Sequence, residues 1–281
     1  MTNVVFLAVL FAAACHAGWN ALIKIGLDPL ATTALISLGS GVVAIVLLPF
    51  AGIPAVAAWP YLIASVFIHL VYFASLIESY RTGDLGQVYP IARGSAPLMT
   101  AAAATMFVGE GILAIGWIGI AVLVSGIVLL SARGGRDLAR LDRRAIGFAL
   151  FTALTICAYS VVDGVGVRLS RNPVAYSMWL FAGMAAIVIL YAFARSGHGL
   201  WRAMRENWLR GLTGGGFQVM SYGIALWAMS VAPIAIVAVL RETSVLFGAA
   251  ISVVFLKEPL RAARVAAAVL IICGLVMIRL Q

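Results

Sequence analysis

Charge is what this chain has least of. Only 10 % of its 281 residues are Asp, Glu, Lys or Arg, against about a quarter in a soluble domain. Too few polar side chains remain to cover a water-facing surface. With 64 % hydrophobic residues and a mean hydropathy of +1.09, the composition is that of a multi-spanning membrane protein. Cysteine is scarce too. Cys15, Cys157 and Cys273 lie singly in apolar runs without CxxC pairing or ligand-spaced histidines, which excludes a disulfide framework and a zinc site. No HExxH, GxSxG or Walker pattern occurs, so a motif-based hydrolase or nucleotide-binding activity has no support. Long polar stretches are also missing: the longest connections are 132–144 and 195–207. That leaves no soluble domain, and any chemistry takes place within the membrane.

What is there fits the same class. The 28 glycines let transmembrane helices approach closely. At about 20 apolar residues per crossing, the chain divides into ten spans. They run over 4–24, 31–50, 58–79, 87–108, 112–131, 145–167, 174–194, 208–230, 234–256 and 262–280. The first lacks a positively charged n-region and stays apolar past Cys15, so it reads as a retained helix rather than a cleaved signal. The net charge of +9 does not point to nucleic acid, because the bases gather in short loops. Lys24, Arg81, the Arg133–Arg144 group, the Arg195–Arg210 group and Lys257, Arg261 and Arg264 follow odd-numbered spans. Only Arg168, Arg171 and Arg279 lie at the other ends. The positive-inside bias then makes the rich side cytoplasmic and both termini extracytoplasmic.

The two halves repeat one another. At an offset of 144, Lys24, Pro29 and Ala31 fall on Arg168, Pro173 and Ala175. At 148, Arg93, Ser95, Leu98, Glu110 and Gly126 fall on Arg241, Thr243, Leu246, Glu258 and Gly274. A four-residue insertion reconciles the offsets. Five spans per half, an odd number, turn the second half upside down in the membrane, the architecture of alternating-access carriers with a site where the halves meet. The expected fold is therefore an all-α integral membrane protein of ten transmembrane helices in two inverted five-helix repeats. Residues 1–134 form the first repeat, 135–144 a basic cytoplasmic linker and 145–281 the second repeat.

Polar residues at membrane depth mark cavities or partners. His16 and Asn20 share a face of the first span, either as contacts to substrate or proton or as an interhelical hydrogen bond; Trp19 lies beside them. His69, Tyr72 and Tyr80 form a stripe on the third. Tyr89, Pro90, Arg93 and Pro97 on the fourth predict a kinked helix, with Arg93 open either to a substrate carboxylate or to a structural ion pair. On the sixth span Tyr159 and Asp163 are four apart, Asp163 offering a carboxylate for a proton or an amine unless it pairs with Arg168. Gln218, Tyr222 and Trp227 follow a triple-glycine run on the eighth. On the ninth, Arg241 and Glu242 are adjacent and point about 100° apart; the repeat relation to Arg93 suggests a shared structural role. Glu110 and Glu258 at span ends suit helix capping.

The five-plus-five repeat, the Val108–Glu110 and Leu256–Pro259 turns and the run Tyr89–Gly94 (YPIARG) resemble the drug/metabolite transporter superfamily, EamA-type exporters in particular, over essentially the whole chain. The chain is similar to the bacterial aromatic amino-acid exporters of that superfamily. Gly111 stands where the second half has Pro259, a departure that touches turn geometry. The resemblance implies a multi-pass carrier in a bacterial inner membrane that moves small metabolites, often amino acids outward, with no cofactor and no enzymatic activity. The many aromatic candidates and few clustered cations favour aromatic or other bulky neutral amino acids. Organic cations, drugs or phosphorylated metabolites are the alternative cargo, and an intramembrane enzyme a remote one. The expected partners are a small-molecule substrate and the lipid bilayer. Two halves in one chain suffice for function as a monomer.

Overall fold

The computed structural model describes residues 1–23, 28–82, 85–132, 143–196, 199–254 and 262–281. Apart from short turns, the described residues are helical, because in lipid each backbone N–H and C=O must find its partner within the segment. The helices are α1 (Asn3–Ile23), α2 (Pro29–Ala51), α3 (Trp59–Thr82), α4 (Leu85–Ala103), α5 (Ala114–Ala132) and α6 (Arg143–Ser170). They continue as α7 (Pro173–Ser196), α8 (Gly199–Glu206), α9 (Trp208–Val231), α10 (Ile234–Arg241), α11 (Ser244–Val254) and α12 (Ala262–Arg279). Among the described residues, seven segments are long and apolar enough to cross a membrane: α1, α2, α3 with the short turn before it, α6, α7, the α10–α11 unit and α12. The apolar stretch of α5 is shorter, and α4 and α9 are less apolar because glycine and polar residues dilute them.

Two features were not expected from the sequence. The connection at 195–207 contains α8, whose Met204 is buried against Leu30, Leu35 and Ile77 while Trp201 and Arg202 are exposed. The fourth span carries helix past both prolines and changes only to a π-turn at Ala104–Val108. The interruption falls in its second-half counterpart. There α10 stops at Arg241, two turn residues follow, and α11 starts at Ser244. The amides of Glu242, Thr243, Val245 and Leu246 each bond three residues back.

Corresponding ends are built alike. Asp28 accepts from the amides of Leu30 and Ala31 at the start of α2, and Asn172 Oδ1 accepts from Ala175 N–H at the start of α7. Each is followed by a proline, whose missing N–H costs nothing in the first turn. The seams are equally matched. A Cβ on Gly274 would lie 2.5 Å from the Gly119 carbonyl oxygen and 2.6 Å from Leu123 N; one on Gly126 would lie 2.8 Å from the Ala267 oxygen and 2.9 Å from Ile271 N. At the offset of 148, Gly126, Ala267 and Ile271 correspond to Gly274, Gly119 and Leu123. The α5–α12 seam is thus one contact made twice. Along α2 and α9, Gly39 and Gly215 allow backbone contact, a Cβ on Gly215 falling 2.1 Å from Ser40 N.

The chain ends meet. Arg279 donates from Nη1 to the Met1 carbonyl at 2.8 Å and from Nη2 to Asn3 Oδ1.

Candidate functional site

The buried polar residues gather where α1, α3 and α4 meet α6, α9 and α10. Asp163 is at its centre, 0 % exposed. Its position on α6 faces α7 and α9, so two phenols reach it: Tyr176 donates to Oδ1 at 2.9 Å and Tyr222 to Oδ2 at 2.5 Å. Arg168, five residues on, does not serve it. Arg168 instead donates to Glu110 Oε1 at 2.7 Å and to the carbonyls of Met229 and Ala232.

Rings wall the centre. His69 stacks on Tyr159 with centroids 4.2 Å apart and meets Tyr222 edge-on at 5.8 Å. Tyr72 meets Tyr159 at 5.6 Å, and Tyr159 meets Tyr222 at 5.9 Å. These are the offset and T-shaped arrangements aromatic quadrupoles favour. His69 Nδ1 lies 2.9 Å from the Ser65 carbonyl. A carbonyl only accepts, so the proton sits on Nδ1 and the ring is fixed from behind.

The cations divide unequally. Arg93 forms an ion pair with Glu242, Nε to Oε2 at 3.2 Å. It also donates from Nη2 to His16 Nε2 at 3.0 Å and to Ser244 Oγ at 3.1 Å. Between the two readings of Arg93, the ion pair is the one realised here, and its acid is Glu242 rather than a residue of its own half. Arg241 lies over the Tyr222 ring at 4.7 Å and has no hydrogen bond or ion pair among the described residues; its Nε is buried without a partner. The adjacent Arg241 and Glu242 therefore do not neutralise each other, and the two repeat-related arginines play different parts. Both line one narrow cavity with Tyr159, Ser160 and Glu242.

The remaining candidates are spread around this centre. Asn20 donates from Nδ2 to the His16 carbonyl on its own helix at 2.7 Å, and Trp19 meets the His16 ring edge-on at 5.1 Å. Gln218 is buried with Oε1 unpartnered, on the Tyr222 face of α9. Trp227, by contrast, is 36 % exposed. The side chains of Tyr80 and Tyr89 lie outside the described residues, as does Glu258. The sequence reading missed Tyr176 and Ser244, which act through partners on other helices, and Ser65, whose spacing of four from His69 on α3 was a signal it did not use. Among the described residues, no cluster of three His, Cys, Asp or Glu has a metal-binding arrangement.

Glu110 does cap a helix, but not the one it precedes. It accepts from the amides of Ile234 at 2.8 Å and Ala235 at 3.0 Å, at the positive end of α10 in the other half.

No curated protein matches the chain at a significant level. A protein of known crystal structure superposes on it with a TM-score of 0.77, covering 99 % of this chain and 96 % of its own at 17 % identity; at that identity the likeness is one of fold. The polar centre is enclosed by helices of both halves, and residues 143–280, the second half of the chain, match the EamA-like transporter family.

Proposed function

We propose that this protein is an alternating-access transporter of a bacterial inner membrane that exports amino acids, aromatic or other bulky neutral ones favoured. The match of residues 143–280 to a transporter family supports the general class. The observation that carries the cargo is the buried polar cluster, beside a narrow cavity lined by Arg93, Tyr159, Ser160, Arg241 and Glu242. The cluster combines a carboxylate (Asp163), guanidinium groups (Arg93 and Arg241) and the rings of His69, Tyr72, Tyr159 and Tyr222. An amino acid has the complementary set: an ammonium group for the carboxylate, a carboxylate for a guanidinium, and a side chain that packs on rings.

Two inverted five-helix repeats, 1–134 and 145–281, account for several independent features. The reciprocal seam of α5 and α12 and the matched caps of α2 and α7 support the repeat. The joined chain ends support an even number of crossings, since seven would leave the termini on opposite faces. With α4, α5 and α9 included, the count becomes ten. The charge asymmetry supports a cytoplasmic linker at 135–144 and extracytoplasmic termini. The interrupted α10–α11 unit is the kind of discontinuous helix that carriers place at a midplane site.

Expression in cells challenged with a toxic aromatic amino-acid analogue tests this reading. It should confer resistance and lower the intracellular analogue; an unchanged intracellular level counts against it. A second reading, export of organic cations, draws on the rings around Asp163, since aromatic faces attract cations. Competition by an organic cation, without competition by phenylalanine, would favour it.

A further inference from the structure

Resting on this cluster as the substrate site, the geometry points to a division of labour between its two arginines: Arg241, not Arg93, takes the substrate's anionic group. Arg93 already has an acid and two side-chain partners. Its guanidinium is held by Glu242, His16 and Ser244 at 3.0–3.2 Å, which ties α4 to α1, to the turn between α10 and α11 and to the start of α11. Such a group is a strut, and its carboxylate partner is already in place.

Arg241 is the opposite case. It ends α10, its guanidinium carbon lies 4.7 Å from the centroid of the Tyr222 ring, and it has no hydrogen bond or ion pair among the described residues, its Nε being buried without an acceptor. A guanidinium at membrane depth is costly unless paired, and a ring face recovers only part of what an anion would give. Neither neighbouring acid forms an ion pair with it: Glu242 pairs with Arg93, and Asp163 accepts from Tyr176 and Tyr222. The fork of Arg241 suits a planar carboxylate, which it binds through two parallel N–H bonds. Ser160, whose hydroxyl is also buried without a partner, lines the same cavity and can add a hydrogen bond to such an anion.

Stacking on Tyr222 gives Arg241 a second consequence. The phenol that positions its guanidinium also donates to Asp163. The anion site and the acidic site are therefore linked through one side chain, Tyr222.

The test is binding to the purified full-length protein, measured by calorimetry, with phenylalanine, phenethylamine (which lacks the carboxylate) and 3-phenylpropionate (which lacks the amine). Arg241→Gln should weaken phenylalanine and 3-phenylpropionate at least tenfold and leave phenethylamine within about twofold. Arg241→Lys keeps the charge but not the fork; it should weaken the two acids several-fold, and it serves if the glutamine variant does not fold. Unchanged affinity for both acids in either folded variant overturns the assignment, and so does a wild type that binds neither acid nor inorganic phosphate. Loss of phosphate binding in Arg241→Gln, with no amino acid bound by the wild type, keeps the anion site and discards the amino-acid cargo. Equal loss of phenethylamine would mean that Arg241 only holds the cluster together.

Discussion

Asp163 is held by hydroxyl groups rather than by a cation, which leaves its charge available to a ligand. Replacing it with Asn keeps the shape and removes the charge. Asp163→Asn should fold and cut the initial rate of amino-acid transport about tenfold or more in proteoliposomes; an unaltered rate would remove Asp163 from the site. Tyr176→Phe leaves a buried carboxylate oxygen without its donor and should cost about 1–3 kcal/mol of stability, seen as a lower midpoint in thermal unfolding. At this scale the sequence was informative about which residues are buried and polar, and less so about what they touch. His69, Tyr72, Tyr159, Asp163 and Tyr222 stood out by depth and helical spacing, and all come together. Arg93 and Arg241 looked equivalent by register. Their difference lies in Glu242, whose side chain turns to α4 instead of to its neighbour, a choice made by packing between helices.

Helix positions were legible because the lipid-facing pattern needs about 20 apolar residues each time, and helix occurs in every segment that pattern marked. The break between α10 and α11 was not. Proline pointed to a kink in the fourth span, whose backbone is assigned helix through Pro90 and Pro97, while the ninth is interrupted at Glu242–Thr243 without proline or glycine. The short α8 escaped notice because eight residues are too few for a hydropathy signal. The glycine seams carry the energetics here. Without a hydrophobic drive between helices in lipid, close backbone approach supplies much of the association. Gly215→Leu would force a side chain into Ser40 and Gly39, and overpacking of this kind costs about 1–3 kcal/mol or more. Detergent-solubilised Gly215→Leu should show a lower melting point and less monodisperse protein, whereas Gly216→Ala, where the space is open, should resemble wild type. Glu110 joins the halves by pairing with Arg168 and capping α10. Glu110→Gln should lower the unfolding midpoint, with about 1–3 kcal/mol lost from weakened charge-assisted bonds.

For the molecule as a whole, charge placement and the joined ends point the same way. Arg279 holds Met1 and Asn3, which brings the two termini together, and in the sequence most of the basic residues outside the spans follow odd-numbered spans. In a chain with Cys15, Cys157 and Cys273 replaced by serine, a cysteine introduced at Asn3 or Gln281 should react with a membrane-impermeant maleimide in intact cells. Labelling only after lysis would reverse the orientation. The central claim is transport of amino acids, and it is tested most directly by uptake of labelled substrate into liposomes containing the purified protein. Phenylalanine, tryptophan and threonine would be compared with a sugar phosphate and an organic cation. The account predicts saturable uptake of the amino acids, strongest for the aromatic ones, diminished by Tyr222→Ala. Saturable uptake of the sugar phosphate or the cation alone would contradict it.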